Sequence, residues 1–185
     1  MRSDYIHPEL LWAVIDGLTY PNQLAMRIAL KTGLRIDDVL SIKKDNFKIR
    51  MTVREKKTRK SKRIYFGVEL FKELSAFAFH NPSGYFSPYL FPHRTRRNAH
   101  RTRQAVYKDV KKVVLLLKLS GNISPHSARK CAAVRELART GSIYNVMRFL
   151  NHERDLVTIL YALSDQSVLM ERLRSQKPIE PVKKR

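Results

Sequence analysis

The sequence predicts a mainly α-helical domain carrying one small antiparallel β-hairpin, an α+β protein, on three observations. Apolar residues recur at helical spacing along most of the chain. One region breaks that rhythm: FKIRMTVRE and KRIYFG alternate or run β-rich on either side of the basic KKTRKS, which reads as two strands joined by a positively charged turn. Finally, 185 residues with 43% hydrophobic content and only six glycines can bury one real core, which excludes a merely basic disordered tail.

Taken in order, Pro8 opens a short amphipathic helix over ELLWAVIDGL, and Pro21 opens a second over NQLAMRIALKTGL that stops at Gly33. RIDDVLSI resumes as a helix from Arg35. After the hairpin, VELFKELSAFAF returns to helical periodicity, and NPSGYFSPYLFPH, with three prolines and a glycine, is a loop. Three further helices follow: HRTRQAVYKDVKKVVLLLKL, then HSARKCAAVRELARTG closing at Gly141, then LNHERDLVTILYAL with its flanks. The tail SDQSVLMERLRSQKPIEPVKKR offers one more short helix before a basic, proline-containing end. The expected division is a main domain over residues 1–164 and a C-terminal helix and tail over 165–185.

Lys and Arg number 37 against 16 Asp and Glu, a formal charge of +21 that suits an anionic partner. The excess is concentrated: residues 43–63 hold eleven basic and two acidic side chains, and residues 93–112 eight against one. A charge run alone is often only a solvated face. The single cysteine, Cys131, excludes an intramolecular disulfide, and no Cys/His cluster has zinc-ligand spacing. There is no signal-peptide pattern, and the longest apolar run, VVLLL, is too short to span a bilayer. A soluble, intracellular protein is expected, and the large polyanion there is nucleic acid.

Three motifs carry candidate chemistry. In TGLRIDDVLSI, Arg35 and Asp38 lie three apart, so the carboxylate can sit beside the guanidinium and orient its fork. In SPHSARK, His126 and Arg129 project from one face of a first helical turn after Pro125. In LNHERDLVTILYAL, Tyr161 stands nine positions after His152. Each has an ordinary reading: a surface ion pair, a capping histidine, or a half-buried aromatic beside the apolar face of Leu156, Ile159, Leu160 and Leu163.

The order G-L-R-x-x-D, hairpin K-T, H-x-x-R, L-N-H and a tyrosine nine beyond that histidine resembles the catalytic domain of the tyrosine recombinases, the phage-integrase family, over residues 33–161. The resemblance implies that family's fold and places its catalytic set at Arg35, Lys57, His126, Arg129, His152 and Tyr161, with Asp38 supporting where Glu is usual. Lys56 is second choice to Lys57, Lys130 stands where a second histidine often follows, and Asn151 replaces the usual glycine. The basic surfaces then supply DNA contacts from Lys56, Arg59, Lys60, Lys62, Arg96, Arg97, Arg101, Arg103 and Lys130.

What the resemblance implies for activity is site-specific recombination, as integration, excision or inversion, without cofactor or metal. The partners are double-stranded DNA at two sites and further copies of the chain, a tetramer when synapsed. The setting is the cytoplasm of a bacterium, from a phage or mobile element. A catalytically silent DNA-binding relative and a type IB topoisomerase-like relaxing enzyme stay open as alternatives. Barely thirty residues precede Gly33, so the family's N-terminal core-binding domain is expected to be absent. That fits either a fragment of a longer integrase or a single-domain recombinase such as those that invert fimbrial switches. The tail is expected to be exchanged between protomers.

The chemistry is coherent. Breaking an anionic phosphodiester without a metal needs fixed cations on its non-bridging oxygens, which Arg35 and Arg129 suit through their planar forks. His152 adds a donor to the phosphate, Tyr161 is the nucleophile, His126 assists its deprotonation, and Lys57 protonates the departing 5′ oxygen.

Overall fold

The computed structural model describes residues 3–80 and 87–151. Its elements run α1 (Pro8–Asp16), α2 (Tyr20–Thr32), α3 (Ile36–Leu40), β1 (Arg50–Arg54), β2 (Ser61–Tyr65), α4 (Val68–His80), α5 (Arg103–Leu116), α6 (Pro125–Thr140) and α7 (Ile143–Leu150). The mainly helical class with one two-stranded antiparallel sheet is as expected. Proline occupies the first turn of α1, α2 and α6, where its missing N–H has no helical acceptor to lose. α2 packs on α3 and α6, α6 on α7, and α1 against α2 and α5. The core between them includes Leu11, Ile15, Leu24, Ile28, Phe66, Phe91, Val110 and Ala128, all essentially inaccessible to solvent. Ala133, Val146 and Leu150 form a small second cluster between α6 and α7.

Two helix ends set up the site. α2 stops at Gly33 in the left-handed region, φ +66°, and a Cβ there would lie 2.6 Å from the Phe149 ring. Glycine is needed both for the turn and for the approach of α7's last residues. α7 stops at Asn151, also left-handed at φ 55°. α7 thus ends at Leu150, and the helix expected across the segment that begins there lies, from His152 on, outside the described residues. The hairpin pairs Arg50 with Tyr65 through Arg54 with Ser61, and its turn holds Arg59 at φ 59°. Among the described residues no helix is long and apolar enough to cross a membrane.

Candidate active site

Arg35 lies one residue before α3, at its N-cap, rather than within the helix as the sequence suggests. Its Nη1 donates to Glu55 Oε2 at 2.5 Å, and Glu55, the first residue after β1, has a fully buried side chain. Thr58 Oγ1 adds a donor to the same carboxylate oxygen at 3.1 Å. Glu55 is thus a buried carboxylate partner of the fork, and Asp38 is near enough for the Arg35 charge to act on it. Asp38 accepts the backbone N–H of Lys56 at 2.9 Å, and burial pushes its carboxyl up while that hydrogen bond pulls it down. Lys56 Nζ reaches Asp37 at 3.0 Å and the Nε2 of His100 at 3.2 Å. The hairpin turn is stitched to α3 through Lys56, and Thr58 turns back to Glu55; Lys57 between them is exposed.

The start of α6 brings in the second pair. Ser124 caps the helix by accepting the His126 N–H at 3.2 Å, and Ser127 returns a bond by accepting the Ser124 N–H. His126 is exposed one turn before Arg129, which is buried. The Arg129 fork donates from Nη1 to the Gly33 carbonyl and from Nη2 to the Leu150 carbonyl, at 2.7 Å for the latter. Those carbonyls close α2 and α7, whose unpaired C-terminal oxygens carry the negative ends of the helix dipoles.

Lys62, expected among the DNA contacts, is buried in this structure. It lies on β2 in register with Val53, faces inward with Ile64, and is only 9% exposed. Its Nζ donates to the Thr32 carbonyl at 2.5 Å and to the Phe149 carbonyl, and sits 4.1 Å from the Phe149 ring centroid. Burial first, then the Arg129 guanidinium, pushes this amine from the ordinary 10.5 to about 7, against the pull of Glu55 and Glu136 and with a further push from Arg35. Arg101 is also partly withdrawn: half-buried, it donates from Nε to Asn22 at 2.6 Å. Arg59, Lys60, Arg96, Arg97 and Arg103 are exposed, and Lys130 is half-buried. His152 and Tyr161 lie outside the described residues.

Glu55 and Lys62 escape a reading by motif, yet both leave a trace. Glu55 is one of only two acids in the basic run of residues 43–63, and Lys62 has the same strand parity as Ile64 and Phe66. Nothing local announces that His100 meets Lys56 across 44 positions.

Cations thus sit at two helix ends and along a basic hairpin turn. Residues 8–167 match the model of the phage integrase family. The XerA recombinase structure matches with a TM-score of 0.75 and 19% identity, covering 97% of this chain and 67% of that one. A XerH site-specific recombinase bound to a palindromic difH substrate, in a post-cleavage complex, matches at 0.69 and 17%, covering 94% and 53%. A lambda integrase tetramer bound to a Holliday junction matches at 0.65 and 18%, covering 84% and 48%. No curated protein sequence matches the chain. The chain belongs to the phage integrase family and has the fold of the tyrosine recombinase catalytic domain, spanning about half to two thirds of the length of those solved relatives.

Proposed function

We propose that this domain cleaves and rejoins DNA strands in site-specific recombination, through a covalent 3′-phosphotyrosine on Tyr161. The observation that carries the reading is the clamp on Arg35. A buried Glu55 holds its fork, while on the same turn Lys56 is engaged by Asp37 and Asp38 and the neighbouring Lys57 is exposed. Arg35 and Arg129 stabilise the charge that gathers on the non-bridging oxygens, and His152 adds a donor. Tyr161 attacks phosphorus, its proton passing to His126. The bond to the 5′ oxygen breaks, and Lys57 supplies that oxygen's proton. Resealing runs the steps in reverse with an incoming 5′ hydroxyl, so the phosphotyrosine stores the bond energy and no ATP is needed.

The substrate in this reading is duplex DNA at two sites, and the assembly a tetramer, as in the lambda integrase complex on a Holliday junction. Residues 1–164 form the catalytic unit, and 165–185 pass between protomers. Incubation with a nicked half-site DNA, followed by denaturing electrophoresis, tests the reading. The wild-type chain should form a covalent adduct and recombine two sites. Binding without an adduct would make it a silent relative, and relaxation of a single supercoiled duplex without pairing of sites would make it topoisomerase-like.

A further inference from the structure

Two helices that end at one place create an electrostatic problem. α2 and α7 end beside each other, with Gly33 against Phe149, and their last carbonyls lie within reach of the same cationic side chains. The fold answers with cations that bridge both ends. Arg129 takes Gly33 and Leu150, Lys62 takes Thr32 and Phe149, and Arg135 takes Leu30 and Lys31 further back on α2. Arg129 and Arg135 reach in from α6. Lys62 alone comes from the hairpin, five positions after Lys57. Beside it, Asn151 Nδ2 donates to the Ser61 carbonyl at 3.3 Å, so two successive residues of β2 hold the end of α7.

We propose that Lys62 is a positioning residue: with Asn151, it ties the strand that follows Lys57 to the turn at residues 149–151, from which the chain continues to His152 and Tyr161. The hairpin that supplies the general acid is thereby tied to the turn that precedes the proposed nucleophile in sequence. Binding of DNA by the hairpin is then transmitted to that turn through a short strand and a buried ammonium. A lysine suits the task because its single nitrogen reaches two carbonyls on different helices at once, while its stem and charge pack on the Phe149 ring. The tie rests on the proposed strand-transfer reading for its consequence in catalysis, though not for its consequence in the fold.

The test uses the full chain with Lys62→Met, which keeps an unbranched stem without the donor, and Lys62→Arg, below the melting point of each. Adduct formation on the nicked half-site should fall ~10²-fold in Lys62→Met, the scale expected of a misplaced reacting group. DNA affinity and its salt slope should stay within ~2-fold and ~0.5 of wild type, since no phosphate contact is lost. A half-site with sulfur at the 5′ leaving position should rescue Lys57→Ala and leave Lys62→Met slow. Lys62→Arg should regain most of the rate. Amide hydrogen exchange at residues 149–151 should accelerate in Lys62→Met and, more weakly, in Asn151→Gly, which keeps the left-handed turn and loses only the bond to Ser61. A wild-type adduct rate in Lys62→Met, rescue by the sulfur substrate, or parallel losses of binding and cleavage would each overturn the proposal. Should the wild-type chain form no adduct, the strand-transfer reading fails by itself. Unchanged exchange at 149–151 in both variants would then refute the tie independently, and where Lys62→Met does not fold, unchanged exchange in Asn151→Gly would do so.

Discussion

The hairpin turn and the strand that leaves it are equally basic, yet their cations meet opposite fates. In the turn, Lys57, Arg59 and Lys60 are exposed, and the buried charge among them is an acid, Glu55. One residue into β2, Lys62 is buried against carbonyls, while Arg63 beside it is exposed again. Two-residue strand periodicity divides these residues, and charge density does not. A count of basic residues therefore overstates a DNA-contacting surface wherever a strand runs through it. In this chain some of the charge neutralises helix ends and leaves fewer side chains for phosphates.

The sharpest separation of the two regions compares Arg129→Ala with His126→Ala. Both should slow adduct formation, by roughly 10² to 10³-fold for the arginine and 10² to 10⁴-fold for the histidine. Only Arg129→Ala should also lower stability, by about 2–4 kcal/mol, because it strands two buried carbonyls. His126 is exposed, so its removal should stay within about 0.5 kcal/mol in denaturant unfolding. Equal stability of the two variants would erase the distinction between a buried and an exposed catalytic set. Next in size, Gly33→Ala should cost about 2 kcal/mol or more, through left-handed strain and displacement of the Phe149 ring, measured by thermal melting. A neutral result would mean the two helix ends are not in close contact.

Protonation distinguishes the regions too. Lys62 has a folded value near 7, below its ordinary 10.5, so between those pH values the unfolded chain holds the extra proton. Stability attributable to Lys62 should therefore rise as pH increases from about 7 to about 10.5, by on the order of 2 kcal/mol. The groups that set this are the Arg129 and Arg35 guanidinium groups, which favour the neutral amine, and Glu55 and Glu136, which oppose it. The difference in unfolding free energy between wild type and Lys62→Met, followed across that window, checks the sign; a flat difference would mean an amine as solvated as in the unfolded chain, and a falling one an ammonium stabilised by its carbonyl partners. The smallest effect is in salt dependence. Arg59→Ala should reduce the slope of log affinity against log salt by about 1, and Lys62→Ala should leave it unchanged, by titration on duplex DNA.

The helices were legible because each is punctuated: proline opens three of them, and Gly33 and Gly141 close two in the left-handed conformation. Asn151 shows why its departure from the family's glycine is tolerable, since asparagine is the next residue able to adopt that turn at φ 55°. The hairpin followed from its alternation, with boundaries displaced by one to three residues. The pairing within the site was not legible. Glu55 as a partner of Arg35 lies twenty positions away on the far side of β1, and Arg35 precedes α3 instead of lying in it, so the three-residue spacing to Asp38 gave no sign of that contact. The neighbours of Lys62 in sequence are basic, whereas its neighbours in space are the ends of helices 30 and 87 positions away. Local patterns carry element type, and long-range contacts decide what a cation faces.

The account stands most directly on the identity of the covalent residue. After reaction of the wild-type chain with a nicked half-site, the adduct can be digested with protease and nuclease and the remaining nucleotide located by mass spectrometry. A nucleotide linked through its 3′ phosphate to Tyr161, with no adduct from a Tyr161→Phe chain that binds DNA normally, is the predicted result. A nucleotide on any other residue, or an adduct that persists in Tyr161→Phe, would contradict it.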